Sequence, residues 1–357
     1  MAKTTEFMYN LGMSTQAKKT VTQNDVAREA GVTRSMVSYV ISGNTERSVA
    51  PETRKKILEV IDRLGYRPNK AAQALQQGDI AFAEKRIGVI LNSADVFRRP
   101  YYAEIIAGIH TAAHQNNYHV SFIRFFDELK NPVLFNELIH SEEIGGLILV
   151  STDQSIKCDD DKKIIQKIKD RIENVVCVEW KCDGLSSVMF DRQETARKAT
   201  EFLISKKYPQ IIYIGQNDDR VLGVQQALML SGYPSVISEF YKAEAFDLSG
   251  GYQAIKNLFS SGEPLPRAIV CGSDEVAIGA MCCLNENDIL IPQQVALISI
   301  DNLEVSEYTN PPLTTMNVQK ANMGERAVEM IVKETARQGN DAVCISLSTN
   351  LVERKSC

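Results

Sequence analysis

Apolar positions recur in two rhythms along this chain, and the rhythm changes near Lys85. Between residues 21 and 66 they fall three and four apart. Val26, Ala27 and Ala30 share one face of a predicted helix, and Val37, Val40 and Ile41 share one face of a second. Ile57, Val60, Ile61 and Leu64 form the apolar stripe of a third. Gly31 stands where the first helix must stop, because a left-handed turn residue is cheap only for glycine. Thr33 is placed to cap the second helix by accepting from its early backbone N–H groups. Pro51 suits the first turn of the third, although Ala50 is a poor cap before it, and Gly65 stops it. Two helices joined by a three- to four-residue turn make a helix-turn-helix, whose second helix lies in a DNA major groove. Its polar side carries Arg34, Ser35, Ser38 and Tyr39, which can reach base edges or phosphates.

From Lys85 onward the pattern becomes short apolar runs separated by amphipathic stretches. Strands are predicted at RIGVIL, HVSFIRF, GGLILV, NVVCVEW, SSVMF, QIIYIG, PSVISEF, RAIVCG and VALISI. Helices are predicted near 102–115, 133–140, 161–172, 193–206, 219–231, 248–260 and 274–287. Apolar strands alternating with helices imply parallel sheets covered on both faces. Nine strands exceed what one such sheet usually holds, so two doubly wound lobes are expected. The boundary between them is placed near Ser187–Asp191, with return crossings near Pro311–Thr315 and Asp341. This divides 85–357 into a lobe of about 85–187 plus 314–340 and a lobe of about 191–311 plus 341–357. A cleft between such lobes, at the carboxyl ends of the strands, is the default small-ligand site.

Charge agrees with this division. Residues 1–78 hold 12 Lys and Arg against 7 Asp and Glu, a local charge of +5, while the remainder holds 28 against 38. Clustered cations on an otherwise acidic chain suit phosphate attraction through counterion release. Residues 1–20 are polar with no apolar core of a signal sequence, so a disordered arm at residues 1–20 is expected, with Met8 and Met13 as alternative starts. The eight cysteines show no CxxC pair and no zinc-like spacing, and read as buried hydrophobes or free thiols in a reducing cytoplasm. No apolar run approaches the ~20 residues that cross a bilayer.

The order of these parts resembles the lactose-repressor (LacI/GalR) family of bacterial transcription regulators. The matching runs are DVAREAGVTRSMVSYV, PETRKKILEVIDRLGYRPN, AAQAL, FDRQETARKATEFL, RVLGVQQAL, SDEVAIGAM, SIDN and NPPLTTMNV. They extend from residue 21 to about 352, and their order is more specific than any one of them. The resemblance implies a helix-turn-helix domain at 21–67, a hinge helix and linker at 68–84, and an effector-binding core of periplasmic-binding-protein-like fold. It also implies a homodimer on a pseudo-palindromic double-stranded operator, with affinity switched by a small, sugar-type effector.

Residue roles follow position by position. The resemblance places Arg34, Ser35 and Tyr39 at base-reading positions, Tyr39 departing from the arginine more usual there. Thr22, Thr33, Ser38 and Asn44 look like phosphate or register contacts. In the hinge, Asn69 and Lys70 approach DNA and Leu75 stands at the position that wedges into the central minor-groove step, an insertion that kinks the duplex. Gln76 departs from the basic residue often found in that place. Glu179 and Trp180 end a strand at the cleft edge, where a lone tryptophan is core or ligand platform about equally. For the cleft, the family pattern points to the loop that carries Phe97, Tyr101 and Tyr102 as an apolar wall, and to Arg220 and Asp301. The last two match an arginine that grips effector oxygens and its carboxylate partner, groups that together chelate vicinal hydroxyls. Ser273 departs from the asparagine common in sugar-binding members.

Other classes fit less well. His110 and His114 lie four apart but have no HExxH glutamate or third ligand, so no metal is expected. No phosphate loop, dinucleotide fingerprint or nucleophile elbow occurs, so neither a catalytic residue nor a cofactor is expected, and a sugar-modifying enzyme is disfavoured. A periplasmic transport receptor would require a signal peptide and no DNA-binding head. A closer rival is a global catabolite regulator that uses a phosphocarrier protein as corepressor.

Overall fold

The structure is a computed structural model that describes residues 21–42, 49–66, 85–232, 241–335 and 342–357. Asn44, Asn69, Lys70, Leu75, the N-terminal arm, the hinge and the expected strand PSVISEF lie outside the described residues. Two units are distinguished: an N-terminal helical unit, which takes in residues 131–138, and the rest of the chain.

The helical unit contains α1 (Gln23–Ala30), α2 (Arg34–Ser42) and α3 (Pro51–Leu64). Thr22 and Asp25 form a reciprocal capping box at the start of α1, satisfying two backbone donors that the helix itself cannot. Gly31 and Gly65 end α1 and α3 in the left-handed region, at φ 66° and 61°. Thr33 Oγ1 accepts from Met36 N at 3.3 Å, the expected cap of α2, whereas Ala50 supplies no side-chain bond to α3. Val26, Ala30, Val37, Val40, Ile57 and Ile61 meet in one buried cluster, which is why a unit this small holds together.

In the larger unit, each of two six-stranded sheets is built the same way. The first contains β1 (Arg86–Leu91), β2 (His119–Phe125), β3 (Gly146–Val150), β4 (Asn174–Val178) and β5 (Ser186–Phe190). The second contains β6 (Ile211–Ile214), β7 (Tyr241–Ala243), β8 (Ala268–Cys271), β9 (Ala296–Asp301) and β10 (Thr314–Asn317). Two late strands, β11 (Cys344–Leu347) and β12 (Asn350–Val352), complete them, giving orders β11-β5-β4-β3-β1-β2 and β12-β10-β9-β8-β6-β7. In both sheets the first strand lies between the second and third, the doubly wound order that opens a crevice at the carboxyl strand ends. All the pairings are parallel except β10 with β12.

Helices α4 (Pro100–Gln115), α5 (Pro132–Leu138), α6 (Asp159–Lys169) and α7 (Arg192–Ser205) follow in chain order, then α8 (Asp219–Leu230), α9 (Leu248–Ser261), α10 (Asp274–Glu286) and α11 (Lys320–Thr335). The chain crosses between sheets three times, and the late crossings differ from expectation. β10 pairs with β9 in the second sheet, so the return falls after Asn317 rather than near Pro311–Thr315. β11 then pairs with β5 in the first sheet, and only β12 goes back to the second, placing the last crossing after Leu347 rather than near Asp341. Both strands are only three or four residues long, so their apolar pattern carries little information about which sheet they join.

Helix α11 packs on α4 through two glycines. A Cβ on Gly108 would stand 2.0 Å from the Ala321 carbonyl oxygen, and one on Gly324 would stand 2.2 Å from that of Ile105. Gly108→Val is therefore expected to force the two helices apart, costing about 3 kcal/mol or more of core stability. Urea unfolding followed by circular dichroism checks this, with a lowered midpoint expected and an unchanged one excluding the close contact.

Candidate functional site

Two surfaces have the makings of a site, one in each unit. In the helical unit, the residues expected to meet DNA gather around the amino end of α2. Thr33, Arg34 and Ser35 are exposed and Ser38 and Tyr39 are half-buried. Arg34 Nε donates to Gln23 Oε1 at 3.2 Å, so the first residue of α1 steadies the arginine from the neighbouring helix. Gln23 was not singled out from the sequence, since a polar residue at a helix start has no pattern to mark it. Thr22 is exposed beside it, its hydroxyl donating to Asp25 Oδ2 at 2.7 Å, so this side chain serves its own helix. The N-termini of α1 and α2, with their unpaired backbone N–H groups, are suited to phosphate oxygens.

In the larger unit, a cavity of about 40 Å³ opens at the carboxyl ends of the strands. It is far below the roughly 300 Å³ of an ordinary ligand pocket, so the cleft is nearly closed on itself. Tyr101, Tyr102, Glu179, Arg220, Ser273 and Asp301 line it, as expected. Arg99, Gln154, Phe190, Arg192 and Gln216 also line it, and sequence reasoning missed them. Phe97 and Trp180 are not among the lining residues. Phe97 is 56% exposed and packs edge-on to Phe125, and the Trp180 indole is buried with Nε1 donating to the Leu149 carbonyl at 3.1 Å. Trp180 follows a strand that faces the core, and its large ring is better accommodated there.

Four positions at strand ends take left-handed backbone without being glycine: Ser151 at φ 49°, Glu179 at 75°, Asp301 at 126° and Asn302 at 55°. Each costs of order 1–3 kcal/mol, and such strain is kept where it aims a side chain. The turn at Asp301 is anchored by the buried Asp274 at the start of α10. Its carboxylate accepts from Ser299 Oγ at 2.5 Å, Thr315 Oγ1 at 2.6 Å, Leu303 N at 2.7 Å and Ser306 Oγ at 2.5 Å. Lys320 Nζ donates to the Asp301 carbonyl oxygen at 2.6 Å, fixing the same turn from α11.

Three arginines reach the cavity, each with a carboxylate of its own. Arg99 donates to Glu275 at 2.7 Å and to the Phe246 carbonyl at 3.1 Å, joining the lobe of β1 to that of α10. Arg192 donates to both the carboxylate and the carbonyl of Glu179 at 3.0 Å. Arg220 is committed to Asp218 at 2.7 Å, to the Gly272 carbonyl at 2.5 Å and to Gln216. Burial works against the charge on Arg220, but the bond to Asp218 and the nearby Tyr213 and Asp301 outweigh it and raise its pKa. Arg220 and Asp301 make no ion pair with each other among the described residues, so they do not form a preassembled clamp.

The Asp301 carboxylate stands apart. The residue is 5% exposed, yet no hydrogen bond or ion pair among the described residues reaches its side chain. Burial, and then the Asp274 carboxylate, push its pKa well above the usual carboxylate range, with Arg220 and Lys320 pulling the other way. The Tyr101 hydroxyl, Glu179 Oε1, Ser151 Oγ and Thr152 Oγ1 are also buried without partners. Burial and the neighbouring Glu179 and Asp301 charges raise the Tyr101 hydroxyl well above its ordinary pKa. Unmet polar atoms at the end of a cleft are the signature of a surface organised for a ligand.

The sign of this effect on stability follows from linkage. A carboxyl whose folded pKa is raised contributes stability below its unfolded pKa, and that contribution is lost as pH rises through the folded value. Asp301→Asn keeps the shape and removes the charge. It is expected to melt higher than the unsubstituted protein at neutral pH, with the gap shrinking as pH falls to the ordinary carboxylate range. Thermal unfolding between pH 4 and pH 8 measures the gap, and a variant that melts lower at every pH would show that the carboxylate stabilises the fold.

Comparison with known proteins places these two surfaces. Residues 22–69 match the family described as bacterial regulatory proteins, lacI family, and residues 185–357 match the periplasmic binding protein-like domain. The HTH-type transcriptional repressor PurR of Edwardsiella ictaluri (strain 93-146) is 26% identical over 345 residues, covering 94% of this chain and 96% of that protein. The ribose operon repressor of Haemophilus influenzae (strain ATCC 51907 / DSM 11121 / KW20 / Rd) is also 26% identical over 345 residues, covering 94% and 98%. Among solved structures, the lac repressor dimer bound to operator and the anti-inducer ONPF shares the fold, with a TM-score of 0.66. It is 23% identical and covers 95% of this chain and 99% of its own. Helix-turn-helix head, paired doubly wound sheets and matches along nearly the whole chain agree: this protein is a DNA-binding transcription regulator of the lactose-repressor (LacI/GalR) family.

Proposed function

We propose that this protein is a repressor of a carbohydrate-utilisation operon, acting in the cytoplasm as a homodimer on a pseudo-palindromic operator and released or recruited by a sugar-type effector. The observation that carries the effector reading is the cleft, whose polar lining comes from both lobes: Tyr101 on α4 and Glu179 at a strand end on one side, Asp301 at a strand end on the other. Hydroxyl groups of a sugar can donate to such carboxylates, and the Tyr101 and Tyr102 rings provide an apolar wall. Arg220, with its fork already engaged, holds Gln216 and Asp218 in place and shares its charge with the ligand's oxygens. The related proteins named transcriptional repressor PurR and ribose operon repressor support the repressor reading, and the second supports control of a sugar operon.

On the DNA side, Arg34 is the base reader, donating bidentately to a guanine, with Ser35 and Tyr39 beside it. Thr22, Thr33, Ser38 and Asn44 take phosphates, Asn69 and Lys70 extend the contact, and Leu75 wedges the central step. One recognition helix reads too few bases for high specificity, which is the reason for two half-sites. A hinge of about two turns is too short to be helical alone. It suits a switch in which the effector changes the spacing of the hinges, because a ligand shifts DNA affinity only through preference for one arrangement.

Operator selection followed by affinity measurement tests this reading. Binding is expected to weaken steeply with salt, and Arg34→Ala to lose ~1–3 kcal/mol of discrimination at one base pair per half-site. Asp301→Ala is expected to leave operator binding in place while removing the response to the effector, a coupling of ~1–3 kcal/mol. An Arg34→Ala profile identical to that of the unsubstituted protein would remove the base contact. A response to effector that persists in Asp301→Ala would remove the cleft assignment.

A further inference from the structure

Among the described residues that line the cavity, each charged side chain but Asp301 has an ion-pair partner. Arg99 is matched by Glu275 at 2.6 Å, Arg192 by Glu179 at 3.0 Å and Arg220 by Asp218 at 2.7 Å. Lys320, the nearest further cation, is matched by Glu104 at 3.4 Å and engaged by the carbonyls of Asp301 and Asn302. Among the described residues no cation forms an ion pair with Asp301, although it is 95% buried in the same place and feels the charges of Arg220 and Lys320 only at a distance. Three arginines suggest an anion-binding site at first sight, but none of their charges is in excess.

The open atoms have the same bias. The oxygens of Asp301, which no hydrogen bond among the described residues reaches, and the buried Oε1 of Glu179 accept and cannot donate when ionised, and the Tyr101 hydroxyl is buried against the Glu179 and Asp301 side chains. A carboxylate or phosphate on the ligand would be held against acceptors of its own sign. A neutral polyol would bond to these oxygens but bring no charge to hold the Asp301 carboxylate ionised. A protonated amine supplies both donors and charge, and the Tyr102 ring already carries the Arg99 guanidinium over its face at 5.6 Å, so the aromatic lining suits cations.

We infer that the effector carries a protonated amine next to its hydroxyl groups, with the ammonium seated against the Asp301 carboxylate, as in an amino sugar. The inference rests on reading the cleft as a sugar site and narrows the class of sugar. It turns the Asp301 side chain from a general acceptor into the group that sets specificity by charge, and Arg192 and Arg99 into neutralising partners rather than anion receptors.

Titration calorimetry on the full-length protein, at a pH below the pKa of the sugar amines, tests it with matched probes. These are glucose, glucosamine and glucuronate, galactose, galactosamine and galacturonate, and mannose with mannosamine. In at least one set the amine is expected to bind tenfold or more tightly than its neutral counterpart, with the uronate bound more weakly than either. In Asp301→Asn the ratio of amine to neutral affinity is expected to fall toward one. Neutral sugar or uronate binding tighter than the amine overturns the inference while leaving the sugar site intact, and the comparison needs only the unsubstituted protein. An amine preference undiminished in Asp301→Asn also overturns it. If no member of any set binds, the sugar reading of the cleft falls and this inference falls with it.

Discussion

A carboxylate withdrawn from water with no partner of opposite charge organises this cleft. Taking a charge into a protein interior is costly unless it is paired or neutralised. Asp301 is buried at a strand end, beside the equally buried Asp274, and its proton is held well into the range where an ordinary aspartate has lost it. The fold sustains this cost by surrounding the turn with bonds that do not satisfy it. Asp274 gathers three hydroxyls and one amide, Lys320 grips the carbonyl of Asp301, and neither reaches the Asp301 side chain. What is left unsatisfied is the part that faces the cavity.

The geometry around it follows from two sheets with the same winding. Each presents its carboxyl strand ends to the crevice, and the strained backbone at Ser151, Glu179 and Asp301 turns side chains there. Arg99 crosses the crevice to Glu275, so the two lobes are joined directly over a space of about 40 Å³. A ligand that enters has to compete with or rearrange such contacts, and this is how occupancy of a small site becomes a difference between lobe arrangements. Two packings of rigid lobes are the bistable element a coupling of this kind requires.

Much of this was legible in the residues and some was not, for physical reasons. The three helices of the head were readable because their stripes, caps and glycines agree at every level. Strands β1, β3 to β6, β8 and β9 were readable because strands buried on both faces are continuous apolar runs, and the edge strand β2 because its apolar residues alternate with polar ones. Helix α11 was missed because Pro311, Pro312 and Gly324 make its approach look like loop, whereas Gly324 is one of the two glycines that let α4 pack against it. β10 was missed because Thr314 and Thr315 are buried by hydrogen bonding rather than by apolarity. In the cleft, Arg220 and Asp301 were found through resemblance, while Arg99 and Arg192 carry no periodic mark. Their place is decided by which strand ends converge, which is a property of the topology. Phe97 and Trp180 were drawn in by residue type, and packing took each elsewhere.

The account depends on the state of one proton. Carbon-13 NMR of protein labelled at aspartate carboxyl carbons, with Asp301 assigned by the Asp301→Asn variant, reads that proton directly. Asp301 is predicted to titrate well above the usual carboxylate range in the ligand-free protein and to fall back toward it when the cleft is occupied by an amine-bearing sugar. Titration of Asp301 in the ordinary range in the ligand-free protein would contradict the claim that the cleft is built around an uncompensated carboxylate.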